Sequence, residues 1–289
     1  MSDVTIEPQE IADAVRVALA EDVGTGDATT LAMIPLESVS LARMVARETM
    51  VLAGLAFARS AFLALDPTLQ LVQCAADGDT LSKGQVLLVI QGKTRAILSA
   101  ERVALNYVQR LSGVATATKA FVSATAGTHA RILDTRKTTP GWRTFEKYAV
   151  VCGGGKNHRS GLHDQILIKD NHLAALGDVQ PNAVEVAVLR ARTAYPSLKV
   201  EVEADTLSQV AQAVAAHADI VLLDNMSLDQ LRQAVEIAKG RILTEASGGV
   251  TLDTVRSIAE TGVDFISVGA ITHSARAMDI GLDFDQPST

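Results

Sequence analysis

The second half of the chain repeats one pattern, and this repeat constrains the fold more than any other feature. Short apolar runs rich in β-branched residues alternate with segments of helical periodicity, and the last four runs begin 20 to 23 residues apart. That spacing suits a strand, a helix and two short loops. The runs are Ala130–Leu133, Gln165–Ile168, Lys199–Val202, Asp219–Leu223, Arg241–Leu243 and Asp264–Val268. The pattern predicts a parallel β-sheet with helical connections.

Three helices are predicted between the last four strands. They cover Asp205–His217, Ser227–Lys239 and Thr251–Thr261. The second begins at Ser227, and Gln230 follows three residues later, which is the pattern of a capping box.

A polar or glycine residue follows every predicted strand. These residues are Asp134, Arg136, Lys137, Lys169, Asp170, Glu203, Asp224, Glu245, Ser247 and Gly269. In a β/α barrel the carboxyl ends of the strands converge on one mouth, whereas in an open doubly wound sheet they lie along a crevice. Because polar residues or glycine follow every predicted strand, we favour the barrel.

The first 115 or so residues lack this alternation of strand and helix segments. The segment Asp77–Gly92 is punctuated by glycines and predicts short antiparallel strands and turns, and a helix is predicted from Thr94 through Arg110. We interpret this part as a structural or dimer-forming domain.

Positive charge is concentrated in one stretch of an otherwise acidic chain. Residues 131–172 contain eight Lys/Arg and four Asp/Glu, so this stretch carries +4 while the remainder carries −11. Three consecutive glycines, Gly153–Gly155, precede Lys156 and allow a ligand to approach the backbone closely. A net charge of −7 and 3% aromatic residues argue against nucleic-acid binding. The stretch therefore predicts a site for a small anion, a carboxylate or a phosphate.

Several other site types are excluded by spacing. A Walker A motif around Lys156 would need glycine at 150 and Ser/Thr at 157, where the chain has Val150 and Asn157. The histidines of the basic stretch lack the i, i+4 spacing of helical zinc ligands, and the two cysteines form no metal-ligand pair. Charged residues interrupt every apolar stretch, and the N-terminus has no signal-peptide pattern, so we expect a cytoplasmic protein that does not enter a membrane.

Two sets of residues leave alternatives open. Lys169 ends an apolar run and could form a Schiff base or act as a charged clamp for an anion. Glu203 and Asp224 could hold Mg²⁺, stabilise a cationic centre, or pair with Lys or Arg. The glycine-containing segments after the last two strands predict a phosphate site.

Nine collinear motifs lie between residues 101 and 274, within a likeness that runs from about residue 22 to residue 283. They lie at 101–106, 111–116, 134–138, 153–159, 167–172, 201–203, 222–225, 247–249 and 268–274. Together they closely resemble the quinolinate phosphoribosyltransferase family, and no motif position departs from its pattern.

The resemblance implies an incomplete, open β/α barrel of about six to seven parallel strands at residues 116–274 and an N-terminal α/β sandwich domain at 1–115, to which 275–289 return. It implies that quinolinate and phosphoribosyl pyrophosphate yield nicotinate mononucleotide, pyrophosphate and CO2, with Mg²⁺, in NAD biosynthesis. It also implies a homodimer, or a higher oligomer, in which the N-terminal domain of one subunit covers the barrel mouth of the other.

The resemblance also assigns roles to residues. Lys137, Lys169, Glu203 and Asp224 would be catalytic, and Glu203 and Asp224 would face the ribose and its metal. The substrate-binding set would be Arg102 from the partner subunit, Thr135, Arg136, Lys137, His158, Arg159, Lys169, Glu203, Asp224, Ser247, Gly248, Gly249, Val268, Gly269, Ala270 and His273.

Three rival interpretations can be separated by experiment. A barrel aldolase using Lys169 would form an imine that borohydride traps. A non-catalytic dicarboxylate-binding protein would bind quinolinate without releasing pyrophosphate. A related transferase could use another pyridine base.

Overall fold

The computed structural model describes residues 4–285, which form two compact units. The N-terminal unit comprises residues 4–119, 139–154 and 274–285. The barrel unit comprises residues 120–138 and 155–273.

The N-terminal unit contains helices and short antiparallel strands. Its elements up to residue 93 are α1 (Pro8–Val23), α2 (Ala28–Met33), β1 (Val39–Ala46), β2 (Met50–Val51), α3 (Leu55–Leu65), β3 (Gln70–Gln73), β4 (Thr80–Leu81) and β5 (Val86–Lys93). The long helix α4 (Thr94–Ala124) follows and runs on into the barrel unit, and α5 (Arg143–Cys152) returns to the N-terminal unit.

The barrel unit alternates strands and helices, as the repeat predicts. Its strands are β6 (Arg131–Leu133), β7 (Ile166–Ile168), β8 (Val200–Ala204), β9 (Ile220–Asp224), β10 (Leu243–Ser247) and β11 (Phe265–Ser267). Its helices are α6 (Asp170–Leu176), α7 (Ala183–Ala194), α8 (Leu207–Ala215), α9 (Leu228–Ala238), α10 (Val255–Ala259) and α11 (Ala270–His273). All six strands are parallel in the order β6-β11-β10-β9-β8-β7. This is the predicted open barrel.

The last strand, β12 (Ile280–Phe284), pairs with β1 in the N-terminal unit. The resulting antiparallel sheet has the order β12-β1-β5-β3, and β2 pairs separately with β4. Its inward side chains, such as Met44, Leu88 and Ile90, are fully buried and form a core with α3 residues such as Phe57 and Phe62. Burial of these apolar side chains stabilises the unit.

Local sequence signals explain several helix boundaries. Ser227 begins α9 by accepting a hydrogen bond from the Gln230 N–H while the Gln230 side chain accepts from the Ser227 N–H, so the predicted capping box is confirmed. Thr206 and Gln209 form the same arrangement at the start of α8.

Two predicted boundaries were wrong. Strand β10 begins at Leu243 rather than Arg241, because the Arg241 N–H still donates to the Ala238 carbonyl at the end of α9. Helix α4 extends to Ala124 rather than Arg110. Gly113 lies inside this helix, where a Cβ would overlap the carbonyl oxygen of Arg276, so the close backbone contact requires glycine at this position.

Helix α5 belongs to the N-terminal unit, whereas the sequence boundary assigned residues 139–154 to the barrel domain. Aromatic packing holds it there: Phe145 lies edge-on to Phe57, and Trp142 stacks on Tyr107. Buried Glu146 also accepts a hydrogen bond from the Arg110 guanidinium at 2.9 Å. These long-range contacts carry no local sequence signal.

Among residues 4–285, no helix has both the length and the apolar character needed to cross a membrane.

Candidate active site

A cavity of about 870 Å³ opens at the carboxyl ends of the barrel strands. Fifteen of the sixteen predicted substrate-binding residues line it: Thr135, Arg136, Lys137, His158, Arg159, Lys169, Glu203, Asp224, Ser247, Gly248, Gly249, Val268, Gly269, Ala270 and His273. The exception, Arg102, is exposed on α4 in the N-terminal unit. The cavity walls all come from the barrel unit.

A second cavity of about 830 Å³ lies at the amino ends of the same strands. Asp219, Leu243 and Asp264, which begin or precede strands, line it, and it contains none of the predicted site residues. Enzymes with β/α barrels carry their active sites at the carboxyl ends of the strands. We therefore take the 870 Å³ cavity as the candidate active site.

Buried Asp134 fixes the cationic side of the cavity. It follows β6 and accepts hydrogen bonds from the Asn157 side-chain amide at 2.7 Å and from the His158 N–H at 2.8 Å. Both bonds tie the segment after the three glycines to the end of β6. The segment that contains His158 and Arg159 is therefore held beside Arg136.

Arg136 and Arg159 lie close together at this side of the cavity. Burial, and then repulsion by Arg136, lowers the pKa of Arg159 from its usual value. Arg159 donates to the Gln165 carbonyl at 3.2 Å, whereas the buried Nε of Arg136 has no hydrogen-bond partner among residues 4–285. A buried donor without an acceptor is unfavourable. An anion at this position would satisfy the donor and offset the repulsion between the two cations.

Lys169 and Glu203 form an ion pair at the ends of β7 and β8. Lys169 Nζ lies 2.6 Å from Glu203 Oε2, and the side chains are 46% and 12% exposed. The sequence predicted that Glu203 follows its strand, but the structure places it inside β8. The pairing with a lysine or arginine, predicted as one alternative for Glu203, is thus present in the structure.

Asp224 and the Ser247–Gly249 turn are neighbours across two strands. Asp224 is the last residue of β9 and is opposite Ser247, the last residue of β10, so Ser247 also lies within its strand rather than after it. Gly248 and Gly249 follow with φ of 98° and 56°, a backbone conformation that favours glycine. The turn therefore brings backbone, without side chains, to the cavity wall.

Lys137 lies along the segment that follows β11. Its Cδ is close enough to Gly269 that a Cβ there would lie 3.1 Å away, and its carbonyl accepts the Thr272 hydroxyl at 2.8 Å. His273 lies against the same glycine. Lys137 is thus placed beside Val268–Ala270, the segment to which the resemblance assigns a phosphate.

Beneath the mouth lies a buried cluster that the sequence analysis missed, formed by His158, Glu201 and Glu245. His158 Nε2 is 3.1 Å from Glu201 Oε2 and 3.6 Å from Glu245 Oε2, and both carboxyl groups are fully buried. His158 Nδ1 accepts the Arg159 N–H at 2.7 Å, so the ring proton resides on Nε2 and points to the carboxyl groups. One donor atom from each residue lies within 4.8 Å of the others, so the cluster could hold a metal ion.

Comparison with known proteins agrees with this arrangement. The model of the quinolinate phosphoribosyl transferase C-terminal domain matches residues 114–283, and that of the N-terminal domain matches residues 27–112. The chain belongs to the quinolinate phosphoribosyltransferase family. The resemblance predicted from the nine motifs is confirmed.

Curated relatives and a solved structure from the quinolinate phosphoribosyltransferase family match nearly the whole chain. A nicotinate-nucleotide pyrophosphorylase (carboxylating) from Mycobacterium leprae is 46% identical, over 94% of this chain and 96% of the relative. A probable enzyme of the same name from Bacillus subtilis is 43% identical, over 91% and 89%. The structure of the nicotinate-nucleotide pyrophosphorylase from Francisella tularensis superposes with a TM-score of 0.93 at 39% identity and covers 99% of both chains.

One signal in the sequence could have revealed the buried cluster of this quinolinate phosphoribosyltransferase family member. Strands of a parallel barrel are expected to be apolar on both faces. Glu201 and Glu245 interrupt such strands, with an apolar or small residue after each of them. A glutamate at these positions must find a buried partner.

The buried carboxyl pair predicts a stability that falls as pH rises. Burial, reinforced for Glu245 by the charge of Glu201, raises the pKa of Glu201 to about 7 and that of Glu245 to about 8. Because the pKa of each group is higher in the folded than in the unfolded chain, protonation stabilises the folded state. This contribution to the free energy of unfolding is complete below about pH 4.5, the unfolded pKa, and is lost as the pH rises through the folded pKa values of about 7 and 8. We expect Glu245→Gln to reduce the loss between pH 5 and 9 by about 2–4 kcal/mol, measured by urea denaturation.

The exposed Glu236 on α9 provides the control for this prediction. Glu236→Gln should leave the pH dependence of the free energy of unfolding unchanged. Equal pH dependence in wild type and Glu245→Gln would mean that the buried pair is not neutralised by protonation.

Proposed function

We propose that the chain is a decarboxylating quinolinate phosphoribosyltransferase. This pentosyltransferase converts quinolinate and phosphoribosyl pyrophosphate into nicotinate mononucleotide, pyrophosphate and CO2 in NAD biosynthesis. One observation carries the proposal: in a member of this family, a single cavity has buried Arg159 and half-buried Arg136 on one side and two carboxylates with a glycine turn on the other. A dicarboxylate and a phosphorylated ribose are complementary to those two sides.

Quinolinate occupies the cationic side in this proposal. Arg136, with its unpartnered Nε, and Arg159 and Lys169 bind its two carboxylates through charge-assisted hydrogen bonds. His158 has both ring nitrogens directed to protein groups, so it contributes a ring surface and an orientation for Arg159. Binding of the dicarboxylate would also compete with Glu203 for Lys169.

The ribose occupies the side that carries Glu203 and Asp224. As the bond to pyrophosphate breaks, positive charge develops on the ribose, and nearby carboxylates lower this barrier electrostatically. Quinolinate nitrogen takes the place of pyrophosphate on the ribose carbon, so no covalent intermediate with the protein is needed. Ser247–Gly249 and Val268–Ala270, with Lys137 and His273 beside the latter, bind the 5′-phosphate.

Mg²⁺ is the proposed metal of the reaction. Mg²⁺ is commonly bound by one or two carboxylates together with substrate phosphates. Glu203 and Asp224 offer oxygen ligands of this type at the cavity wall, and we assign the metal to them. When bound with phosphoribosyl pyrophosphate, it would neutralise charge on the leaving group.

The proposed assembly is a homodimer, or a higher oligomer built from it, in which Arg102 serves the cavity of the partner subunit. Support comes from the exposed position of Arg102 on α4 and from the lining of the cavity, which lacks it. A two-fold dimer completes two equivalent sites at once.

The decisive experiment measures release of labelled CO2 from quinolinate. We expect release only when phosphoribosyl pyrophosphate and Mg²⁺ are both present, with one pyrophosphate formed per CO2. Absence of release with quinolinate, together with activity on another pyridine base, would assign a different substrate. Binding of quinolinate without any pyrophosphate release would reduce the protein to a binding protein.

A matched pair of arginine variants connects the activity to this cavity. Arg136→Ala removes a charge-assisted contact of about 1.5–3 kcal/mol, so quinolinate affinity by calorimetry should fall about 10- to 150-fold. Arg131→Ala changes an exposed arginine at the other end of β6 and should leave the affinity unchanged. Equal affinities in both variants would place quinolinate elsewhere.

A further inference from the structure

Asn225 occupies an unusual backbone conformation at the cavity wall. Among residues 4–285, only Asn225 (φ 54°) and His217 (φ 56°) are non-glycine residues with positive φ. Asparagine tolerates this left-handed region better than most residues. The conformation occurs immediately after Asp224, the last residue of β9.

Asn225 contacts both halves of the proposed ribose-phosphate site. Its side-chain Nδ2 donates to Asp224 Oδ2 at 2.7 Å. Its backbone N–H donates to the Ser247 carbonyl at 3.0 Å, and a Cβ at Gly248 would overlap its carboxamide oxygen. Gly248 is therefore required at the point where the Asn225 side chain packs against the turn.

From these contacts we infer that Asn225 is a positioning residue that fixes the Asp224 carboxylate relative to the Ser247–Gly249 turn. The inference rests on the proposed function. The ligand it serves is a pentose that carries a phosphate at one end and a pyrophosphate at the other, because such a ligand must reach the turn and the carboxylate at the same time. Donation from the amide occupies one lone pair of Asp224 Oδ2 and so restrains rotation of the carboxylate.

Asn225→Gly tests this role without straining the backbone, since glycine adopts positive φ freely. We expect the KM for phosphoribosyl pyrophosphate to rise and kcat to fall, each about tenfold or more, because displacement of a catalytic group by about 1 Å has effects of this size. Quinolinate affinity should stay within about twofold, since its proposed ligands make none of these contacts, and the midpoint of thermal unfolding within about 3 °C. Asn225→Asp places a carboxylate against Asp224 and should reduce turnover further.

His217→Gly is the matched control, because it replaces the other residue of positive φ in the described part of the chain. It should leave both kinetic constants unchanged. Wild-type kinetics in Asn225→Gly would overturn the inference, and so would an equal loss of quinolinate affinity, which indicates general disruption. Failure of the wild type to release CO2 would instead refute the proposed function. In that case calorimetry in the presence of Mg²⁺ would still compare the affinities of the wild type and of Asn225→Gly for phosphoribosyl pyrophosphate.

Discussion

Replacing Asp224 by asparagine is expected to lower kcat about 100-fold or more while leaving quinolinate affinity unchanged. The substitution keeps the shape of the side chain and its position opposite Ser247 but removes the charge that we assign to the ribose side of the cavity. Because this charge acts on a cation that develops during bond breaking, its loss affects the transition state more than the bound substrates. Steady-state kinetics at saturating Mg²⁺ and calorimetry with quinolinate measure the two quantities.

Two further variants complete this experiment. Glu203→Gln should also lower kcat, but it frees Lys169 from its ion pair and can therefore tighten quinolinate binding. Asp205→Asn changes an exposed acid just beyond β8 that does not line the cavity, and it should be neutral. Wild-type turnover in Asp224→Asn would remove this residue from the catalytic set.

Mixing two inactive variants, Arg102→Ala and Lys169→Ala, is expected to restore activity. If Arg102 acts on the partner subunit, a mixed dimer contains one cavity with both residues intact and one with neither. Random assortment makes about half of the dimers mixed, so recovered activity should approach about a quarter of wild type. Mass spectrometry of tagged chains checks that subunits exchange.

Mixing Arg136→Ala with Lys169→Ala is the control. Both residues line the same cavity within one barrel unit, so every cavity in the mixed dimer lacks one of them and activity should not return. If activity returned in this control mixture, recovery in the first mixture could not be attributed to a site shared between subunits. Mixed dimers of the first pair without activity would show that Arg102 serves its own subunit or none.

Periodicity predicted the barrel because each repeat is a local unit. A strand, a cap such as Ser227 and an amphipathic helix are all encoded within about 20 residues, and the polar residue after each strand follows from the direction of a parallel sheet. For the same reason Arg136, Lys169 and Asp224 could be placed at one mouth before any coordinates were known.

Features that depend on distant contacts escaped prediction. Helix α5 joins the N-terminal unit through Phe57 and Tyr107, which lie far away in sequence. Gly113 lies inside helix α4 because the backbone at Arg276 approaches it closely, a contact between residues far apart in sequence. The buried pair of Glu201 and Glu245 forms only when two non-adjacent strands are folded into one unit.

The open barrel has a consequence for how it holds its ligand. Strands β6 and β7 stand at the two ends of the sheet, and no ladder of hydrogen bonds joins them, although Leu133 of β6 forms one bridge to Lys156. In a closed barrel each strand is bonded on both sides, which fixes the radius. Arg136 follows the first of these edge strands and Lys169 follows the other. A dicarboxylate held by both would act as a cross-link between the two end strands of the sheet.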